Sequence, residues 1–274
     1  MSVIIISSDS YQREVEVAEK TAEILGYKYL GRQILGPAAA KYGMPETKFL
    51  KALGESPSLL RMSSKALSLC LAYIEEATLS KLAEDNVVCH GLAAHLYVLG
   101  VSHVLKVRIL ADPEEFTRQI AAREGVPPDR AAKFLKRRES YRKRWSLDAF
   151  RQDETNPSLY DLVINLSQID LEQAVKTIVE TVGYWKFRPM TYSEKCMKDM
   201  ELAARVRATL IRHFPDVRVR ADGATVVVEI KGLRRERQKR AEAIKSLAGE
   251  IQGVGYLEVH VAEDIFRQAA ESFR

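Results

Sequence analysis

The chain has 274 residues, 46% of them hydrophobic and 29% charged, which suffices for two domains with ordinary cores and gives no compositional ground for disorder. A formal net charge of +5 and a pI near 9.0 admit an anionic partner without requiring one, since acids and bases are mixed along most of the chain. Three scattered cysteines, Cys70, Cys89 and Cys196, form neither a disulfide framework nor a zinc spacing, and no apolar run reaches the ~18 residues of a membrane span, so a reducing cytoplasm is the expected compartment.

Val3–Ile6 is a short, continuous, β-branched run, the pattern of a buried strand. A polar turn with capping residues follows, and then Val15, Ala18, Ala22 and Leu25 recur at helical spacing up to Gly26. Residues 32–85 read as mostly helical, in one segment from Ile34 and a longer one over Leu59–Leu82 whose apolar face carries Leu67, Cys70, Leu71, Ile74 and Leu79. Val87–His90, Val104–Leu110 and Leu162–Asn165 are further strands; the second runs into the helix start Ala111-Asp112-Pro113 and the third into a helix ending near Val182. Strands alternating with helices predict an α/β domain over residues 1–182, with a parallel sheet covered by helices. Residues 183–199 hold Trp185, Phe187, Pro189 and Tyr192 without clear periodicity and read as a linker with aromatics suited to packing on a domain. Residues 200–264 give helix, strand, an Asp222-Gly223 hairpin, strand, helix and strand, a second, small α-β-β-α-β domain.

Strand–turn–helix at the start of an α/β domain is where a phosphate loop sits, and such a loop needs glycines and a cation. Here no glycine precedes Gly26. The segment Ala18–Leu35, with Ala38-Ala-Ala-Lys-Tyr-Gly-Met, Val87–Leu99 around Gly91, Val107–Asp112, Ala122-Arg-Glu-Gly-Val, Arg142-Lys-Arg-Trp and Ser158–Ser167, resembles the cytidylate kinase-like family of P-loop nucleotide kinases over residues 2–182. The resemblance implies a P-loop nucleotide-kinase fold, and ATP with Mg²⁺ if the chain is an active kinase.

The departures fall where the chemistry would be. Family loops read Ser-Arg-x-x-Gly-Ser-Gly-Gly-Arg, and those positions here are Ser7, Ser8, Asp9, Ser10, Tyr11, Gln12, Arg13, Glu14 and Val15. Tyr11, Arg13 and Glu14 put bulk where a phosphate would lie, and Asp9 and Glu14 add repelling charge; Arg13 is the one substitute cation. The family's acid after the first helix is Gly31, with Arg32 kept beside it, and the arginine after the central-strand glycine is Leu92. The lid pair Arg142 and Arg144 is kept. Phosphoryl transfer is positioning plus charge stabilisation, so losing cradle, arginine and acid together predicts a non-catalytic descendant that acts as a nucleotide-responsive or scaffold binding protein. The alternative is an active cytidylate kinase with an atypical loop.

The second domain resembles a BON domain through Asp199–Val206, Val217–Val219, Asp222–Gly232 and Gln252–Val259, which implies docking on a protein partner or a membrane rather than catalysis. Candidate nucleotide-binding residues are therefore Arg32, Arg142 and Arg144, no residue is assigned a catalytic or metal-binding role, and residues 200–264 are the candidate docking module. Residues 133–145, rich in Lys and Arg with Tyr141 and Trp145, would permit nucleic-acid contact, but lid ancestry or a solvated face accounts for them better, and nucleic acid is not the expected partner. The basic run Arg234–Arg240 is first a solvated face and second a lipid contact. His90 and His95 flank the central turn without a nucleophile at motif spacing, so neither is assigned to catalysis. Oligomeric state is left open by the sequence.

Overall fold

The computed structural model describes residues 2–54 and 62–263. The first unit comprises β1 (Val3–Ser8), α1 (Tyr11–Leu25), β2 (Lys28–Leu30), α2 (Leu35–Tyr42), α3 (Glu46–Ala52), α4 (Ser64–Leu82), β3 (Val87–His90), α5 (Ala94–Tyr97), β4 (Val104–Leu110), α6 (Pro113–Glu124), α7 (Pro128–Phe150), β5 (Leu162–Asn165) and α8 (Leu171–Val182). Its five strands are all parallel in the order β2-β3-β1-β4-β5, the helix-covered α/β sheet expected from the sequence.

Alternation along β1 explains the two-sided core. Val3 and Ile5 pack with the core that contains α2–α5, whereas Ile4 and Ile6 pack against α1 and α8. The same alternation along β4 sends Leu105, Val107 and Ile109 to the α1/α8 side. Arg108, between two of them, therefore faces the other side of the sheet.

The helix expected over Leu59–Leu82 starts at Ser64, where the Ser63 hydroxyl accepts the Ala66 N–H at 3.3 Å; residues 59–61 lie outside the described residues. Two short elements, β2 and α3, carry too few residues for a periodic signal.

The second unit holds α9 (Thr191–Leu210), β6 (Arg218–Asp222), β7 (Thr225–Gly232), α10 (Arg237–Ala248) and β8 (Tyr256–Glu263). β6 and β7 form an antiparallel hairpin across Gly223 (φ +57°) and Ala224, and β8 joins β7 in parallel. This α-β-β-α-β order follows the sequence reading. The linker does not: Thr191–Asp199, read as part of 183–199, forms the first half of α9. This half carries few apolar residues, so no single-face period marks it as helix. Phe187 is buried, while Tyr184, Trp185 and Tyr192 stay exposed instead of packing on a domain.

The two units share a core. Leu202, Val206 and Leu210 of α9 join the cluster that holds α4. Across this contact Arg207 pairs with Glu75 and reaches the Ser68 hydroxyl at 3.4 Å, and Arg212 donates to the Tyr42 carbonyl at 2.9 Å. Burial raises the Glu75 carboxyl above the usual carboxylate range, and the Arg207 charge opposes that shift.

Candidate functional site

A cavity of about 790 Å³ opens beyond the C-terminal ends of β1, β3 and β4, under α6 and α7. This is where an open parallel sheet places its ligand crevice. The eight residues read as a degenerate phosphate loop are not a loop here. Ser7 and Ser8 end β1, Tyr11–Glu14 are the first turn of α1, and only Asp9 and Ser10 connect them. Without glycines the chain winds directly into helix, because Cβ-bearing residues favour αR over the left-handed conformations a phosphate nest needs.

Each of the eight side chains has an assignable place. Ser7 Oγ accepts from Arg108 Nη1 at 3.0 Å, and Ser8 Oγ accepts the Ser10 N–H at 3.0 Å. Asp9 Oδ1 accepts the Ala111 N–H at 3.0 Å, tying β1 to the end of β4. Ser10 begins α1 without a side-chain cap bond. Gln12 reaches Glu16 at 3.1 Å. Arg13, the candidate substitute cation, turns away to Glu16 (2.7 Å) and to Glu115 of α6, and does not line the cavity.

Glu14 turns inward and is buried. Its Oε1 accepts the Ser8 N–H at 3.1 Å and the Gly91 N–H at 3.2 Å, the latter shared with the Ile6 carbonyl. A protein carboxylate thus occupies these two strand-end amides. Gly91 allows this with φ +64°, and Leu92 and Ala93 continue the left-handed path at φ +56° and +59°. Two successive non-glycine residues in that region store about 1–3 kcal/mol of strain each.

After β2, the position where the resemblance implies an acid is Gly31. A Cβ at Gly31 would sit 2.1 Å from His90 Nε2. The His90 ring fills that space, bonded through Nε2 to the Tyr29 hydroxyl at 2.8 Å and stacked on Tyr29 with centroids 5.2 Å apart. Tyr11 lies 5.6 Å from the same ring, and the Arg32 guanidinium covers Tyr11 at 3.4 Å from its centroid. Arg32 itself does not line the cavity, although the Tyr11 ring that it covers does.

The lid pair is split. Arg142 lines the cavity, but its guanidinium forms a fork with buried Glu154 (Nε–Oε1 2.6 Å, Nη2–Oε2 2.5 Å), donates to the Leu53 carbonyl, and lies 4.3 Å over Trp145. Arg144 is exposed and does not line the cavity. Of the three candidate nucleotide-binding arginines, the fold brings only Arg142 to the cavity.

Three groups here carry no role assigned from the sequence: Arg108 and His95, which line the cavity, and Tyr160, which packs behind them. Arg108 sits in an otherwise apolar strand end, a signal that was available. Tyr160 lies under it, with the guanidinium 5.9 Å from the ring centroid. His95, on α5, is 2% exposed, and neither of its ring nitrogens has a hydrogen-bond partner. Burial pushes the His95 imidazole down to about 3, and the positive charges of Arg108, Arg142 and Lys106 push the same way. Among the described residues no cluster of three or more His, Cys, Asp or Glu side chains is arranged to hold a metal ion.

Comparison with known proteins places this site in context. Residues 3–168 match the Cytidylate kinase-like family. The chain is 30% identical over 188 residues to a cytidylate kinase of Archaeoglobus fulgidus, covering 68% of this chain and 97% of that protein. It is 25% identical over 183 residues to a cytidylate kinase of Pyrobaculum calidifontis, covering 66% and 93%. Among solved structures, shikimate kinase from Bacteroides thetaiotaomicron aligns at a TM-score of 0.41 and 13% identity, over 67% of this chain and 99% of its own.

Proposed function

The chain belongs to the cytidylate kinase-like family, and we propose that it is a nucleotide-responsive binding protein of that family that does not transfer phosphate. One observation carries this reading: the Glu14 carboxylate is hydrogen-bonded to the Ser8 and Gly91 amides at the end of β1. A fixed negative charge there opposes the charge that builds on a transferring phosphoryl group. The residues present do not suit a magnesium triphosphate either. Asp9 is bonded to the Ala111 amide, Arg13 is paired away from the cavity, and Arg142 is neutralised by Glu154.

Residues 200–264 lie beyond the family match, and we assign them as a BON-like docking module for a protein partner or a membrane surface, following the kinase-like domain of residues 1–182. The shared α4–α9 core supports a role in which the two units respond together. No described helix is long and apolar enough to cross a membrane, which is compatible with the cytoplasmic placement we propose.

A second reading, an active cytidylate kinase, is favoured by the naming of relatives whose length the chain matches almost fully. Titration of the whole protein with ATP, CMP and both with Mg²⁺, following melting temperature and CDP, separates the two. A melting shift without CDP is the expected result. CDP formation overturns the reading in favour of the kinase, and absence of any shift removes the nucleotide response.

A further inference from the structure

The floor of the cavity carries a polar cluster that no residue of the phosphate-loop segment other than Ser7 joins. Arg108 reaches it from β4, Ser7 from β1 and His95 from α5, and Tyr160, from the segment before β5, packs behind them without lining the cavity. Arg108 Nη1 donates to Ser7 Oγ at 3.0 Å, its guanidinium lies 5.9 Å from the Tyr160 ring centroid, and the Tyr160 and His95 rings are 5.3 Å apart. Among the described residues Arg108 forms no ion pair with a carboxylate; its contacts are the two hydroxyl-bearing side chains. Arg142, lining the same cavity, is by contrast matched to Glu154. His95 adds a fully buried imidazole with both nitrogens unpartnered.

Buried polar groups are ordinarily paired, so an unpaired imidazole beside an arginine without a counter-charge is a prepared site. The walls above it are largely apolar, including Leu110, Pro113, Phe116, Leu135 and Val163. We propose that this cluster binds the single anionic group of a small organic ligand, a phosphate monoester or a carboxylate, whose apolar or aromatic body fills the cavity under α6 and α7. Arg108 supplies the charge and the fork geometry, Ser7 supplies a hydroxyl and His95 supplies a neutral N–H, while Tyr160, whose hydroxyl donates to the Glu154 carbonyl at 2.7 Å, backs the Arg108 guanidinium. A polyphosphate is disfavoured, because the next phosphate would approach the Glu14 carboxylate.

This inference rests on the reading that the strand-end amides are closed by Glu14, and its test is separable from CDP formation. The whole protein is titrated with phenyl phosphate, benzoate and inorganic phosphate, following heat of binding and the ring resonances of His95 at neutral pH. Saturable binding of at least one of the two aromatic anions, with His95 resonances shifting, is the expected result; which anion binds identifies the source. Arg108→Met should weaken that binding at least tenfold, and Arg144→Met should leave it unchanged. If Arg108→Met fails to fold, the His95 shift in the wild-type protein and Ser7→Ala, which should also weaken the binding, remain as readouts. Binding that leaves His95 unmoved, binding insensitive to Arg108→Met, or no binding of any probe overturns the proposal. CDP formation together with Arg108-dependent anion binding would sink the non-transferring reading alone; no CDP and no Arg108-dependent binding would sink the anion site alone.

Discussion

The ring of His90 stands where a side chain on Gly31 would begin, 2.1 Å from the position its Cβ would take. Glycine at 31 and histidine at the end of β3 are therefore matched to each other by packing. Gly31→Asp alone should destabilise the protein by about 1–3 kcal/mol through overpacking. Adding His90→Ser should recover most of that loss, because it removes the clashing ring. Urea unfolding of the four members of this cycle measures the coupling; additive effects would show that the ring moves aside freely.

Glu14→Ala should lower stability by about 1–3 kcal/mol, since the Ser8 N–H loses its acceptor. The same change frees an anion position. Inorganic sulfate should then raise the melting temperature of Glu14→Ala more than that of the wild-type protein. Equal sulfate responses would mean that the strand-end amides do not receive an anion when the carboxylate is gone.

The two lid arginines should behave in opposite ways. Arg142→Ala leaves Glu154 buried without its partner and should cost about 3–5 kcal/mol, whereas Arg142→Met with Glu154→Leu should cost less than Arg142→Ala alone. Arg144→Ala, on an exposed position, should stay within about 0.5 kcal/mol. Thermal or urea unfolding checks all three; equal losses at 142 and 144 would contradict the assigned geometry.

His95 should impose an acid limit on stability. Its folded value is depressed to about 3, below the ordinary 6.5, so between these limits the unfolded chain binds a proton that the folded chain does not. The contribution is present above the unfolded value and is lost as pH falls toward the folded one, at a slope of at most about 1.4 kcal/mol per pH unit. His95→Leu should flatten the stability profile between pH 6 and 3 (the window between those two values) relative to wild type. An unchanged slope would place His95 in contact with water in solution.

Part of this protein was legible in its residues alone. The β-branched runs at Val3–Ile6, Val87–His90 and Val104–Leu110 specify buried parallel strands, because alternation and side-chain shape are local properties. The absence of glycine from residues 7–14 likewise decides that no phosphate nest forms there, since backbone conformation is set residue by residue. Tertiary structure decided what those residues do instead. Nothing local turns Glu14 toward Gly91 rather than to solvent, matches Arg142 to Glu154 while leaving Arg144 exposed, or gathers Ser7, His95 and Arg108 on one cavity floor. Those pairings depend on the β2-β3-β1-β4-β5 order and register, which bring together residues far apart in the chain. The helical start of α9 was hidden because Thr191–Asp199 carries too few apolar residues to show a period, and its helix is set by continuity with the packed half that follows.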